Sequence, residues 1–315
     1  MRSLIRVCII CSLLVMGLDS FAQQPSHYSQ YVFNNYLLNP AAGGVGDYID
    51  IKGGYRNQWI GFGAAPQTYL VSLHAPISNL KLEPKPFGTR NHHAFGGYVV
   101  KDQTGPISQL GGYISYAYHI RISYDLKVSA GVSAGFRQYS LNTDELWTLE
   151  ANDQDLISMK TSTPDATAGI WVYTDKYFAG FSGHQLIPLK LSTSDNKLNM
   201  HYFLTGGYSF PLRKIDSYLV PSANVRFGIL TPIQTDITVK LKYKRVAWAG
   251  ISYRKIDGLI GIVGVNVYNY LQIGYAFDFT LSKLAKYSNN SHEIIIGLRF
   301  KPSKNKTQVR CPDWG

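Results

Sequence analysis

Alternation with a period of two, sustained for ten residues or more at a time, most constrains how this chain can fold. Between positions 125 and 137, Leu126, Val128, Ala130, Val132, Ala134 and Phe136 share one face, and Lys127, Ser129, Gly131, Ser133, Gly135 and Arg137 share the other. Between 233 and 244, Ile233, Thr235, Ile237, Val239, Leu241 and Tyr243 oppose Gln234, Asp236, Thr238, Lys240, Lys242 and Lys244. Leu271, Ile273, Tyr275, Phe277 and Phe279 repeat the pattern against Gln272, Gly274, Ala276, Asp278 and Thr280. Side chains alternate across a strand, so each stretch reads as a strand with one apolar face and one polar or small face. Past the first two dozen residues no run approaches the ~18 consecutive apolar residues of a spanning helix.

Such strands suit a soluble sandwich, with apolar faces inward, or a membrane barrel, with apolar faces toward lipid. Length favours the barrel, because most of the stretches exceed the ~5–6 residues usual in soluble sheets. Tyrosine, at 23 residues, is abundant. Aromatics gather near strand ends at Tyr113, Tyr116, Tyr118, Trp171, Tyr173, Tyr177, Trp248, Tyr268 and Tyr270, where interfacial girdles are expected. Glycine, at 29 residues, is frequent on the polar faces, as a packed lumen requires. The expectation is an all-β, antiparallel transmembrane barrel of about 14 strands, near 48–58, 67–76, 93–103, 107–121, 124–139, 165–174, 177–185, 199–211, 217–228, 233–243, 245–255, 259–268, 270–281 and 291–300. Lumen-facing charge is expected at Lys127, Arg137, Asp236, Lys240 and Asp278.

The ends fix the compartment. Arg2 and Arg6 precede an apolar run to about Leu18, and Ser20 and Ala22 stand at the −3 and −1 positions of a cleavage site, so residues 1–22 read as a signal peptide. Cys8 and Cys11 fall within it, outside any lipobox, and Cys311 alone remains, which excludes an internal disulfide and a cysteine metal site. Residues 23–47 are expected as a periplasmic or plug segment, 48–300 as the barrel and 301–315 as a basic periplasmic tail. Short connections fall at alternate turns and long ones near 140–163, 186–198 and 282–290 at the others, which places both termini in the periplasm of an outer-membrane barrel. The long segment near 77–92, with Pro84 and Pro86, breaks that rule. The net charge of +11 suits anionic headgroups and acidic partners better than nucleic acid in an exported protein.

No cofactor motif, metal spacing or nucleophile elbow occurs, and the eight histidines are scattered. A barrel-rim hydrolase would have to pair Ser282 or Asp195 with His184 or His292. The favoured expectation is a protein without enzymatic activity, cofactor or metal, and a porin-like channel or transporter is the alternative.

The stretch from Ser26 to Gly43, with Ser29-Gln30-Tyr31 and Asn39-Pro40-Ala41-Ala42-Gly43, resembles the opening of the PorP/SprF family of Bacteroidetes outer-membrane proteins. Tyr55-Arg56-Asn57-Gln58-Trp59, Ala65-Pro66-Gln67-Thr68, His74-Ala75-Pro76-Ile77 and Lys101-Asp102-Gln103-Thr104-Gly105-Pro106 resemble further segments of that family. The resemblance implies a component of the type IX secretion and gliding machinery. Its implied partners are the PorK/PorN ring reached through a PorE-like peptidoglycan-binding protein, or the C-terminal domain of a secreted adhesin. Contacts are expected at Asn39 and Pro40, at the turn Asp102, Thr104, Gly105 and Pro106, and in the tail at Lys301, Lys304, Lys306 and Arg310.

Overall fold

The computed structural model describes residues 31–61, 63–77, 91–142, 159–187, 200–228, 231–244, 246–255, 258–268, 270–281 and 289–300. Its strands are β1 (Ile49–Asn57), β2 (Gln67–Ile77), β3 (His92–Thr104), β4 (Ile107–Arg121), β5 (Lys127–Leu141), β6 (Met159–Tyr173), β7 (Tyr177–His184), β8 (His201–Tyr208), β9 (Phe210–Leu212), β10 (Ser217–Gly228), β11 (Thr231–Tyr243), β12 (Ala247–Arg254), β13 (Gly258–Val267), β14 (Leu271–Thr280) and β15 (Ser291–Phe300). β8 and β9 lie end to end in one register against β10, Gly207 opposite Ser222 and Phe210 opposite Leu219, and so form one stave. β1 pairs with β15, Ile49 opposite Phe300 and Asn57 opposite His292. The result is a closed antiparallel barrel of fourteen staves with no open edge for lipid to meet.

The apolar faces look outward. On β2, Val71 and Leu73 are 58% and 46% exposed while Ser72 and His74 are buried. On β11, Ile237, Val239 and Leu241 are exposed while Thr238, Lys240 and Lys242 are buried. This inversion of a soluble sheet is what lipid solvent demands. The expected lumen charges Lys127, Arg137, Asp236, Lys240 and Asp278 are all buried within the barrel.

Two expectations are corrected. Of the aromatics assigned to girdles, Tyr177, Tyr268 and Tyr270 are exposed, but Tyr113, Trp171, Tyr173 and Trp248 point into the lumen and are buried. An aromatic near a strand end suits an interface or a packed lumen equally well, and only its parity along the strand separates the two. Strand β6 begins at Met159, not near 165. Pro164 lies within it, although proline cannot donate to a ladder. The Ala166 carbonyl accepts from the Leu186 N–H, so even-numbered residues of β6 direct their backbone groups away from β5. Pro164 shares that direction, and β7 pairs with β6 only along Ala168 to Tyr173, so among the described residues no ladder bond is lost.

The rim carrying Ile49 and Phe300, here the terminal rim, has tight turns between β4 and β5, β6 and β7, β11 and β12, and β13 and β14. Lys244 (φ 44°) and Tyr268 (φ 53°) take the left-handed conformation that such hairpins use. The long connections 142–158, 185–200 and 281–290 leave the opposite, far rim, most of their residues outside those described. The exception persists: 78–91 joins β2 to β3 at the terminal rim.

Candidate functional site: the plugged lumen

Residues 31–45 fold into the lumen. Three 3-10 turns, Tyr31–Phe33, Asn35–Leu37 and Pro40–Ala42, form a compact plug. The third turn starts where its sequence says it should. Asn39 is extended (φ −150°, ψ 114°), as a residue before proline prefers. Its Oδ1 accepts the Ala41 N–H at 3.0 Å, and Pro40 occupies the first position of the turn, where no donor is needed.

The plug reaches most of the circumference. Asn34 Nδ2 donates to Ser72 Oγ on β2 at 3.0 Å, and the Tyr36 hydroxyl meets Ser115 Oγ on β4 at 2.5 Å. Ser129 Oγ on β5 donates to the Ala41 carbonyl at 2.7 Å. On β7, Ser182 Oγ and His184 Nε2 bond the Leu38 carbonyl at 2.5 and 2.7 Å. The Tyr31 hydroxyl meets Thr238 Oγ1 on β11 at 3.1 Å. Phe33 stacks on Trp248 of β12 with centroids 5.1 Å apart. Burial pushes the hydroxyls of Tyr31 and Tyr36 up to about 12, so both stay protonated at any physiological pH.

Asn39 is the anchor. Its Nδ2 donates to the carbonyls of Ile170 (2.9 Å) and Phe181 (3.1 Å), which are partners across the β6–β7 ladder. So close an approach needs glycine beneath it. A Cβ on Gly169 would lie 2.8 Å from Asn39 Cγ, and one on Gly131 would lie 2.6 Å from the Pro40 carbonyl carbon. Trp171, Tyr173 and Phe178 pack against Ala41, Ala42 and Val45. Where the plug leaves for the terminal rim, three histidines hold two peptide groups. His74 Nδ1 accepts the Gly44 N–H at 3.2 Å, while His92 Nε2 and His119 Nε2 lie 3.0 and 2.8 Å from the Gly44 and Gly43 carbonyls.

Ion pairs close the rest of the wall. Arg56 on β1 bonds Asp278 at 2.6 Å and Glu293 at 3.0 Å, and Arg254 on β12 bonds Asp236 at 2.9 Å. A cavity toward the far rim is lined by Arg56, Gln58, Trp59, Arg254 and Ser291 among others. Across the barrel, Arg137 pairs with Asp165, which also accepts from the Tyr113 hydroxyl. Near the terminal rim, Asp50 pairs with Lys52 and Arg299.

The residues expected to contact partners do not form one site. Asn39 and Pro40 lie inside the lumen. Asp102, whose carboxylate accepts from Thr68 Oγ1 at 2.8 Å, and Thr104 end β3 at the far rim, and Gly105 (φ 53°) and Pro106 make its tight turn into β4. Lys301, Lys304, Lys306 and Arg310 lie outside the described residues, as do Ser282 and Asp195. Of the histidines weighed for catalysis, His184 bonds the plug, whereas the His292 ring meets Tyr275 Oη at 2.6 Å on the outer face. Among the described residues no group of three or more His, Cys, Asp or Glu could hold a metal. The seat itself has no local signature: inner-face glycines and hydroxyls follow from strand parity, but what they meet lies far away in sequence.

The model of the type IX secretion system membrane protein PorP/SprF family matches residues 20–298. The chain belongs to the PorP/SprF family. As a family member it is a membrane protein of type IX secretion, its barrel sits in the outer membrane, and its partners belong to that system. The stretches that carried the resemblance now have places: Tyr31 to Gly43 is the plug, Arg56 the centre of the far-rim ion pairs, and His74 a plug contact. No curated protein matches the chain. Among solved structures it is similar to the CymD monoaromatic hydrocarbon channel (10% identity, 86% of this chain and 92% of that one, TM-score 0.47). It is also similar to the TodX deltaS2S3 mutant monoaromatic hydrocarbon channel (11% identity, 87% and 94%, TM-score 0.45) and to the β domain of the Bordetella autotransporter BrkA (9% identity, 81% and 98%, TM-score 0.36). At these values the likenesses carry nothing about substrate or mechanism.

Proposed function

We propose that this PorP/SprF protein is a non-enzymatic scaffold of the type IX system. It either anchors the periplasmic PorK/PorN ring through a PorE-like peptidoglycan-binding protein or holds a secreted adhesin by its C-terminal domain. One observation supports the scaffold reading over a porin-like channel: the chain's own residues 31–45 occupy the lumen and bond its wall on β2, β4, β5, β7 and β11. A barrel so filled offers its rims to partners. Both ends of the stave series lie at one rim, and we assign that rim to the periplasm with the basic tail 301–315 as its docking peptide. The turn Asp102 to Pro106 then faces outward with the long connections.

The test is purification in mild detergent with identification of bound proteins, for the full chain and for a chain lacking 301–315. Ring components, or one adhesin, are expected with the full chain. The truncated barrel is expected to assemble but to lose most of its periplasmic partner. Unchanged co-purification after truncation would overturn the role of the tail, and recovery of neither class of partner would overturn the scaffold.

A further inference from the structure

The plug's seat is built to be wetted. Hydroxyls line the inner face on six staves at Ser72, Ser115, Ser129, Ser182, Ser222 and Thr238, all buried. Five of these bond the plug directly. Apolar contact with the plug falls in separate small groups: Tyr31 and Leu38 with Phe203, Phe33 with Trp248 and Ile295, Tyr36 with His74 and Tyr98, and Ala41, Ala42 and Val45 with three aromatics. A hydrogen bond to a hydroxyl exchanges for one to water at a small net cost. The hydroxyl part of the wall therefore tolerates the plug's departure, and the aromatic patches are what hold it seated at rest.

Unmatched polar atoms point the same way. Ser133 Oγ, His201 Nδ1 and Gln272 Oε1 on the wall, and Asn34 Oδ1 and Asn35 Oδ1 on the plug, are buried without a hydrogen-bond partner among the described residues. In an interior meant to stay dry, each would carry the desolvation penalty of an orphaned group. In a passage that fills with water, each is satisfied.

The tether permits the motion. Gly43, Gly44 (φ 77°) and Gly46 join the plug to Ile49 at the terminal rim. Rotation there, once the bonds of Gly43 and Gly44 to His74, His92 and His119 part, moves the plug without unpairing any stave.

We propose that residues 31–42 are a removable gate hinged at 43–46, and that the lumen, once opened, is an aqueous passage for hydrated polar solutes. This goes beyond the scaffold role: the resting barrel stays closed, as that role requires, the passage exists only while the gate is displaced, and partner recovery and ion current are read separately.

The test is KCl current through the full-length protein in planar bilayers. Unmodified protein is expected to stay shut apart from rare openings. Asn39→Ala, which removes the anchor, is expected to raise open probability about tenfold to a hundredfold. Gly131→Leu, which puts a side chain where the plug backbone lies, is expected to hold the passage open. Asn34→Cys with Ser72→Cys, in a Cys311→Ser background, is designed to lock the gate, its cross-link verified by the thiol count before current is read. The oxidised form is expected to be silent and to regain openings in reductant. A Gly131→Leu barrel that is folded by gel mobility yet carries no more current than the unmodified protein would overturn the proposal. So would equal current in the oxidised and reduced double-cysteine forms, and that arm decides should Gly131→Leu not fold.

Discussion

On the arc from β4 to β7 the lumen wall offers glycines, hydroxyls and ladder carbonyls to the plug, whereas from β11 round to β1 its far-rim half carries guanidinium–carboxylate pairs satisfied without it. The first arc is complete only with residues 31–45 in place. The far-rim ion pairs of the second form once the staves have paired, while Tyr31 and Phe33 reach its Thr238, Trp248 and Ile295. Stability of the barrel and closure of the lumen are therefore assigned to different residues, and substitutions can pull the two apart.

The largest effect belongs to the ion-paired arc. Arg56→Ala leaves Asp278 and Glu293 buried with their shared cation gone, and is expected to lower barrel stability by about 3–5 kcal/mol in denaturant unfolding from detergent. The plug should stay seated. An Arg56→Ala barrel of unchanged stability but open lumen would reverse the assignment of the two arcs. Next is Gly131→Leu on the seat. It is expected to expose the amides of residues 39–43 to rapid hydrogen exchange while the unfolding midpoint of the wall moves little. A wall that melts with the plug would show that the arcs are not independent.

Smaller is Ser182→Ala. It removes one of two donors to the Leu38 carbonyl and leaves His184, so a loss of about 1 kcal/mol in plug seating is expected, read as exchange protection. Smallest near neutral pH is the effect of alkali. Burial raises the folded values of Tyr31 and Tyr36 from 10.0 to about 12. The seated plug therefore favours the neutral hydroxyls: their contribution is full below pH 10 and is lost as the pH climbs through 10 to 12. Exchange protection of the plug should fall across that window and flatten in Tyr31→Phe with Tyr36→Phe. No change between pH 9 and 12 would place these hydroxyls in contact with water.

The barrel was legible because a two-residue period, strand length and turn spacing are local properties. Parity along β5 alone puts Lys127, Ser129, Gly131 and Arg137 on the inner face. The seat was not legible, because it is made by distance in sequence. Asn39 meets carbonyls on β6 and β7 more than 130 residues away. The misplaced girdle residues show the same limit: Trp171, Tyr173 and Trp248 look interfacial until residues 31–45 are known to fill the space they point into. The early start of β6 is a different case: Pro164 faces the side of β6 that β7 does not reach, so the strand runs through it with no ladder bond lost among the described residues.

The claim on which all of this rests is that the chain closes its own lumen. Amide exchange on the full-length protein in lipid tests it most directly. Slow exchange at Ala41, Ala42 and Gly43, approaching that of the wall strands, is the expected result. Exchange at those positions as fast as in an unstructured peptide, beside a fully protected wall, would contradict the account.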